Sequence, residues 1–511
     1  MATSLLPLLP FFVFVLAVVL QSSKRTRTRR PPGPQPHPFI GHFFQIPRQK
    51  AWRYYEKLSG QYGPILGLSL GFKDIVVLND ANDAEELLGR RSANYSSRPP
   101  LIYAGKYQSN NKRLLLMMND ENLKKQRNAF LQMLQPRVLG GYEPIQETES
   151  LILLHSLLTN PSQPAFHTSR FSSAIVFALT YGDRISDDDI NGIMTILFNF
   201  IRNALPGAHL VDIFPVLDKL PDFLSPWRAE ALKNAREEVK LFGRLVTDVK
   251  KKMENLHIDI ECFAARLWDQ QAKLNLDFED VARIAGTSFG AGTDTTDATV
   301  QWFLIAMVLY PHTLKKAQEE IDAALGGDEE TIPSFSMIRQ LPYCAALVKE
   351  VFRWAPPAPA CFPHYSEADD VYKGYVIKAN TTVIPCIWSM HRNEDEYPSP
   401  EQFLPERFLR KDWVPTFESL TEGHYTFGFG RRKCPAYNLA SKSVWIALVR
   451  LIWAFDIIPA LDANGVPILP DPSDCTSGMS SRPVALPVQI KPRSEKRAQL
   501  IKRLRDGLDL G

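Results

Sequence analysis

The run from Phe278 to Leu309 constrains the fold most, because it carries apolar residues at three- and four-residue steps with hardly a break. A helix so apolar needs protein on every side, which sets it inside a large helical body. Asp83 to Gly89, Leu123 to Leu134, Glu147 to Leu158 and Ala229 to Asn255 repeat the same period. Strand-like runs are short: Ile65 to Leu70, Ile75 to Leu78 and Thr382 to Ile387. From Phe39 onward the sequence has no internal repeat, no low-complexity tract and no linker long enough to separate domains. With 511 residues, 45% of them hydrophobic, the chain reads as one mainly α domain with a small β component over 39–511.

The net charge of +3 misleads, because Lys24, Arg25, Arg27, Arg29 and Arg30 supply five positive charges within seven residues; without them the rest stands at −2. A near-neutral body offers no field for nucleic acid, so the basic cluster needs a local explanation. Met1 to Ser23, just before it, carries no charge and is apolar from Leu5 to Leu20 apart from Pro7, Pro10 and Ala17. As a helix it would rise roughly 35 Å, enough to cross a hydrocarbon core about 30 Å thick. A cleaved signal peptide carries its positive charge before the apolar run, and here the charge follows. Residues 1–23 are therefore expected to be a transmembrane anchor with the body on the cytoplasmic side. Residues 24–38 form a basic and Pro-rich hinge, expected to act as a semi-rigid spacer. Six scattered cysteines fit reduced thiols. On that topology the Asn-x-Ser/Thr matches at Asn94 and Asn380 are chance.

One cysteine stands apart by its neighbours. Thr426-Phe427-Gly428-Phe429-Gly430-Arg431-Arg432-Lys433-Cys434-Pro435 precedes a helical pattern from Ala436 to Ile452. Pro435 suits the first position of a helix. Cys434 is then expected to be the N-cap, with its sulfur facing unpaired amides and the positive end of the helix dipole, a setting that favours thiolate. Glycines at 428 and 430 let the backbone turn close to the sulfur.

Phe427, Gly430, Arg432 and Cys434 match Phe-x-x-Gly-x-Arg-x-Cys, which resembles the haem-binding signature of the cytochrome P450 superfamily. The residue two past the cysteine is Ala436, where the family usually has glycine. Other motifs fall in step. Glu350-Val351-Phe352-Arg353 is the only Glu-x-x-Arg in the chain, and Arg407 lies in Phe403-Leu404-Pro405-Glu406-Arg407-Phe408. By the resemblance, Glu350, Arg353 and Arg407 lock the proximal side of the core. Ala291-Gly292-Thr293-Asp294-Thr295 resembles the oxygen-activation motif, which implies that Thr295 serves the dioxygen site and Asp294 feeds protons from solvent. The glycines and hydroxyls of the surrounding run, Ser288 to Thr296, are expected to distort the helix. Lys124 and Arg127, in a variant of the Trp-Arg-x-x-Arg helix with Leu123 for tryptophan, would meet haem propionates together with Arg432 and His364.

Val211-Asp212-Ile213-Phe214-Pro215 and Asp471-Pro472-Ser473-Asp474-Cys475 look like the fungal microsomal branch related to O-methylsterigmatocystin oxidoreductase, which implies a monooxygenase of the endoplasmic reticulum membrane. It would hold haem b with Cys434 as axial thiolate and oxidise a lipophilic small molecule, in secondary metabolism. No Gly-x-Gly-x-x-Gly turn or flavin domain is evident, so electrons would come from NADPH-cytochrome P450 reductase, with cytochrome b5 as a second donor. Two rivals are a reductase-independent isomerase or dehydratase of the same fold, and a silent membrane-tethered haem- or sterol-binding protein. The substrate pocket is expected from Pro99 to Lys106, Phe198 to Phe223, Phe289 and Gly290, Ala358 to Phe362 and Thr476 to Met479.

Overall fold

Capping fixes where the central helix starts. The Asp277 side chain accepts from the Asp280 amide at 2.8 Å, and Asp280 accepts from the Asp277 amide at 3.1 Å, so two otherwise unpaired donors are satisfied reciprocally. From there the helix runs without interruption from Phe278 to Leu309. The computed structural model describes residues 30–205, 207–256 and 261–508; the anchor at 1–23 and the basic part of the hinge lie outside the described residues. Among the described residues no helix is long and apolar enough to cross a membrane.

In chain order the longer helices are α1 (Ala51–Tyr62), α2 (Glu121–Gln132), α3 (Glu143–Thr159), α4 (Pro164–Tyr181), α5 (Asp187–Ala204), α6 (Pro226–Leu256), α7 (Phe263–Gln270), α8 (Phe278–Leu309), α9 (Pro311–Ala324), α10 (Pro342–Trp354), α11 (Tyr437–Ala454) and α12 (Glu495–Asp506). The central helix is α8, packed against α4, α6, α10 and α11. Val300, Phe303, Leu304 and Ala306 of α8 share one core with Leu347, Val348 and Val351 of α10 and Ile446 to Val449 and Leu451 of α11, all fully buried.

The β component is small. Strands β1 (Ile65–Leu70), β2 (Lys73–Leu78), β3 (His364–Tyr365), β4 (Asp370–Tyr372), β5 (Tyr375–Ile377), β6 (Thr382–Pro385), β7 (Phe455–Pro459) and β8 (Val488–Pro492) form a four-stranded sheet, in the order β1-β2-β6-β3, and two hairpin-like pairs. In the larger sheet β2 pairs parallel with β6, Ile75 opposite Thr382, and the other pairs are antiparallel. The strand expected to reach Ile387 stops at Pro385, and Ile387–Met390 turns into a short helix. The Cys386 amide still bonds Leu78 at 2.8 Å, which closes the ladder.

The Pro-rich run is not a spacer where it is described. The Gly67 amide donates to the Pro32 carbonyl at 2.7 Å, His42 Nε2 donates to Pro34 at 2.9 Å and Arg30 pairs with Asp74 at 3.0 Å. A Cβ on Gly67 would lie 2.4 Å from the Pro31 carbonyl oxygen, so the strip can lie this close only against glycine.

Candidate functional site

The cysteine loop is held in place by helix α10. Glu350 and Arg353, one turn apart, are both fully buried. Arg353 donates to the two Glu350 oxygens at 2.7 and 2.8 Å, and to the carbonyls of His391, Pro400 and Gln402 at 2.9, 2.8 and 3.1 Å. Arg407 lies 3.2 Å from Glu350, and the Leu404 amide reaches the same carboxylate at 2.8 Å. These bonds pin segment 391–407 to α10. His391 carries the support onward: Nδ1 donates to the Arg353 carbonyl and Nε2 accepts from the Tyr425 amide, both at 2.8 Å.

Tyr425 opens the loop that ends at Cys434. Gly428 returns a bond to the Tyr425 carbonyl at 2.9 Å, and the Cys434 amide donates to Phe427 at 2.8 Å. Gly430 has φ +55°, and a Cβ there would sit 1.9 Å from the Leu88 carbonyl oxygen, so only glycine lets the loop touch that helical turn. The buried Phe427 ring packs 5.3 Å from Phe352, 5.7 Å from His424 and 6.2 Å from Tyr437.

Two expectations for Cys434 need correction. Helix α11 starts at Tyr437 with Ala436 as its N-cap, so Cys434 sits two residues before the cap and Pro435 is outside the helix. The reason is the bond from Cys434 to Phe427, which ties the cysteine to the loop, while the Ala436 carbonyl accepts the first helical bond, from Ala440, at 2.9 Å. Nor is the thiol lowered. Burial pushes it above the usual thiol range, and the Ala436 amide, Arg127 and Lys433 only partly oppose that.

Beside the loop, Arg98, Arg127 and Arg432 come together with His364. Arg432 donates to the carbonyls of Ser96 at 2.6 Å, Leu114 at 3.2 Å and Met117. Arg98 donates to Phe362 and Pro363, both at 2.8 Å, and Arg127 to Lys433 at 3.0 Å. Among the described residues no carboxylate hydrogen-bonds any of the three. Burial, with mutual repulsion, lowers Arg432 to about 8 and Arg98 to about 10. The buried Nε of Arg98 has no partner. His364 donates from Nδ1 to the Tyr95 carbonyl at 2.7 Å and is driven well below the usual histidine range by burial and by Arg98. Neutral in this state, its Nε2 offers a lone pair rather than a proton. Lys124 does not join them: it turns to solvent, 64% exposed, and pairs with Glu121 at 2.6 Å. An ammonium on so long a stem gains more from water than from entering a group of like charges.

Helix α8 presents a different chemistry. Contrary to expectation, it is not distorted at Ser288 to Thr296. Thr287, Thr295 and Thr299 return their hydroxyls to the carbonyls four residues back, at 2.7, 2.9 and 2.9 Å, without breaking the helix. The glycines have packing reasons, since a Cβ at Gly292 would lie 2.8 Å from Val176 and one at Gly290 3.0 Å from Leu197. Thr287, Ala291 and Thr295, four apart and so on one face, form with Gly290 and Gly292 the part of this stretch of α8 that is not buried, with Ala291 exposed in mid-helix. Asp294 is buried, accepts from the Ser480 hydroxyl and lies 3.6 Å from Arg482.

A family model described as Cytochrome P450 matches residues 31–484. The chain belongs to the cytochrome P450 family. Among curated proteins, cytochrome P450 monooxygenase 253 of Postia placenta is 33% identical over 496 residues, covering 96% of this chain and 93% of its own length. Cytochrome P450 monooxygenase fogE of Aspergillus ruber is 33% identical over 92% of this chain and 88% of its own. Cytochrome P450 monooxygenase ARMGADRAFT_1018420 of Armillaria gallica is 32% identical over 93% and 92%. The P450 family is one of haem-thiolate iron proteins. The residues of this P450 fit that group on two observations. Three guanidiniums lacking a carboxylate call for an anion of the propionate kind, and the Thr287–Ala291–Thr295 stripe leaves one face of α8 open.

Sequence reasoning missed Arg98, Ser480, Arg482 and His391. Arg98 had a signal, an arginine in Ser96-Ser97-Arg98-Pro99 just before an expected pocket segment. Arg482 had none, because its partners are some 185 residues away in the chain. The expected pocket segments partly converge in this P450: Ala104, Phe200, Ala204, Leu101, Ile201 and Met479 form one apolar cluster.

Proposed function

We propose that this P450 is a membrane-tethered monooxygenase in which Cys434 ligates the haem iron, acting on a lipophilic small molecule of fungal secondary metabolism. The observation that carries the reading is the set of Arg98, Arg127 and Arg432 gathered beside Cys434 with no carboxylate bonded to them. They would hold the two propionates, and Phe427 would offer the group apolar contact; His364 would need a proton to join them. The haem, when bound, supplies activation of dioxygen and transfer of one oxygen atom to substrate. The chain's own residues do the rest. Glu350, Arg353 and Arg407 hold the cysteine loop through His391. Ala436 donates its amide to the sulfur, and with Arg127 and Lys433 it would favour the thiolate needed to hold the iron. Thr295 and Asp294 would move protons toward the open face of α8.

The apolar cluster of Ala104, Phe200 and Met479 supports an apolar substrate. Lipid contact is supported by Phe44, Leu210, Val216 and Phe223, exposed on the N-terminal segment and the 207–224 stretch, which meet where Gly207 approaches Phe43. With Met1–Ser23 as anchor, the body would face the cytoplasm from the endoplasmic reticulum membrane. Electrons would come from NADPH-cytochrome P450 reductase, with cytochrome b5 as an accessory donor, at a positive surface near the thiolate. Lys125 does not belong to that surface. Its ammonium bonds the Asn275 carbonyl and lies 4.0 Å from Asp280, where the acidic start of α8 captures it. Arg431, which is exposed, and the half-buried Lys433 would supply that surface's charge.

Cys434→Ser tests the reading. The variant should express but lose the thiolate signature in the ferrous carbon monoxide spectrum and all NADPH-dependent product. Retained turnover would sink it. Wild-type protein with the spectrum but no reductase requirement would favour the isomerase or dehydratase rival.

A further inference from the structure

Asp294 and Asp297 stand one turn apart on α8, and both are buried. A single nitrogen, Nη1 of Arg482, lies 3.6 Å from Oδ1 of Asp294 and 3.3 Å from Oδ2 of Asp297. The remaining oxygens are occupied. Asp294 Oδ2 accepts from the Ser480 hydroxyl, and Asp297 Oδ1 accepts from Thr168 of α4 at 2.7 Å and from Gln301 at 2.8 Å. Asp294 Oδ1, aimed at Arg482 from just beyond hydrogen-bond range, makes no hydrogen bond at all. Two buried carboxylates thus compete for one half-buried cation, and a small rotation of Arg482 decides which of them it serves.

We propose that Asp297 is a positioning residue for proton delivery: its carboxylate draws Arg482 off Asp294 and leaves Oδ1 of Asp294 free to take and give protons. The inference rests on the reading that Asp294 and Thr295 serve the oxygen chemistry, and it adds to that reading a residue outside the Ala291–Thr295 motif. The charged groups facing Asp297 are Arg482, from the segment after Cys475, and Asp294 on its own helix; α4 contributes only the neutral Thr168. Burial raises the Asp297 carboxyl to about 6, with Asp294 adding to the rise and Thr168, Gln301 and Arg482 opposing it. Competition for Arg482 therefore exists above that pH. Below it Asp297 is neutral, Arg482 falls to Asp294 alone, and the Asp294 carboxylate is tethered.

Asp297→Asn mimics the neutral form at every pH. In the haem-loaded wild type with reductase, product formed per NADPH should fall as pH drops through about 6, and the solvent isotope effect on turnover should grow. Asp297→Asn should show that low coupling at neutral pH and no step. Removing the tether as well, in Asp297→Asn with Arg482→Gln, should recover coupling severalfold. Asp297→Glu keeps the charge and should keep a step. A readout independent of turnover is an infrared titration of the wild type, which should lose one protonated-carboxyl C=O band with a midpoint near 6, absent from Asp297→Asn. An Asp297→Asn variant that keeps the wild-type pH step, a double variant no better coupled than the single one, or a wild type without that carboxyl titration each overturns the proposal. Should Asp297→Asn fail to fold, the Glu variant and the wild-type titration still decide. Failure of the underlying oxygenase reading looks different: wild-type protein without the thiolate spectrum or without NADPH-dependent product.

Discussion

Arg353→Met removes the guanidinium on which the cysteine loop depends. The methionine fills much of the volume but leaves Glu350 fully buried with only Arg407 opposite, and strips the carbonyls of His391, Pro400 and Gln402 of a donor. Breaking a buried ion pair from one side costs about 3–5 kcal/mol, and stripping even one of the buried carbonyls of its donor adds about 1 kcal/mol, so about 4 kcal/mol is a floor. An unfolding entropy of about 2.1 cal/mol/K per residue comes to about 1 kcal/mol/K for 511 residues. The melting midpoint should therefore fall by at least about 4 °C. The loss should also reach the haem, because the His391 carbonyl is released on one side while its ring still holds Tyr425 on the other. Differential scanning fluorimetry and the carbon monoxide spectrum on the same samples measure both effects, and thiolate signature per mole of protein should drop along with the midpoint. Lys124→Ala, which deletes an exposed pair worth at most about 1 kcal/mol, is the control and should change neither. A midpoint within about 1 °C of wild type with full haem content would refute the chain of support from α10 to the loop.

Thr295→Ala should leave haem content and melting almost unchanged while diverting reducing equivalents to peroxide, measured as hydrogen peroxide per NADPH. Arg98→Gln should release haem to apomyoglobin severalfold faster than wild type, whereas Lys124→Gln should not. Arg431→Glu with Lys433→Glu should slow reduction by the reductase at low salt, and less so at high salt, with substrate-binding spectra unaltered. His424 is lowered to about 4 and His391 and His364 well below the ordinary range, all by burial first. Neutral in the folded state and protonated in the unfolded one, they contribute stability that is complete above about pH 6.5 and lost as pH falls toward 4, so the melting midpoint should be level above neutrality and decline below it.

Periodicity carried much of the fold. Phe278–Leu309 is a helix with the expected ends, and Ile65–Leu70 is a strand, because both bury a regular face and period follows burial. The site was legible where its residues are neighbours in sequence: Glu350 with Arg353, and Phe427 through Cys434. It failed where a side chain had a choice. Lys124 and Lys125 are adjacent, yet one turns to water and the other to the acidic turn at Asp277 and Asp280, a contest no spacing reveals. The Cys434 cap was misplaced for a related reason: proline permits a helix start, but a loop bond to Phe427 decided against it. Gly290 and Gly292 look like helix breakers in sequence and are spacers against Leu197 and Val176 in the fold.

The docked proline strip changes the mechanics of tethering. If Met1–Ser23 anchors the chain as proposed, the slack between membrane and body ends no later than Arg30 and Pro31, where the described chain already grips the protein, rather than at Phe39. Eight or nine residues of proline-rich chain at about 3.1 Å each would have reached about 25 Å; seated on β1, they contribute no reach. The body is then moored on a short line fastened at the β1–β2 edge, beside the exposed Phe44. A mooring so short limits how far the molecule can tilt or lift, and keeps whichever face carries the mooring point turned toward the lipid.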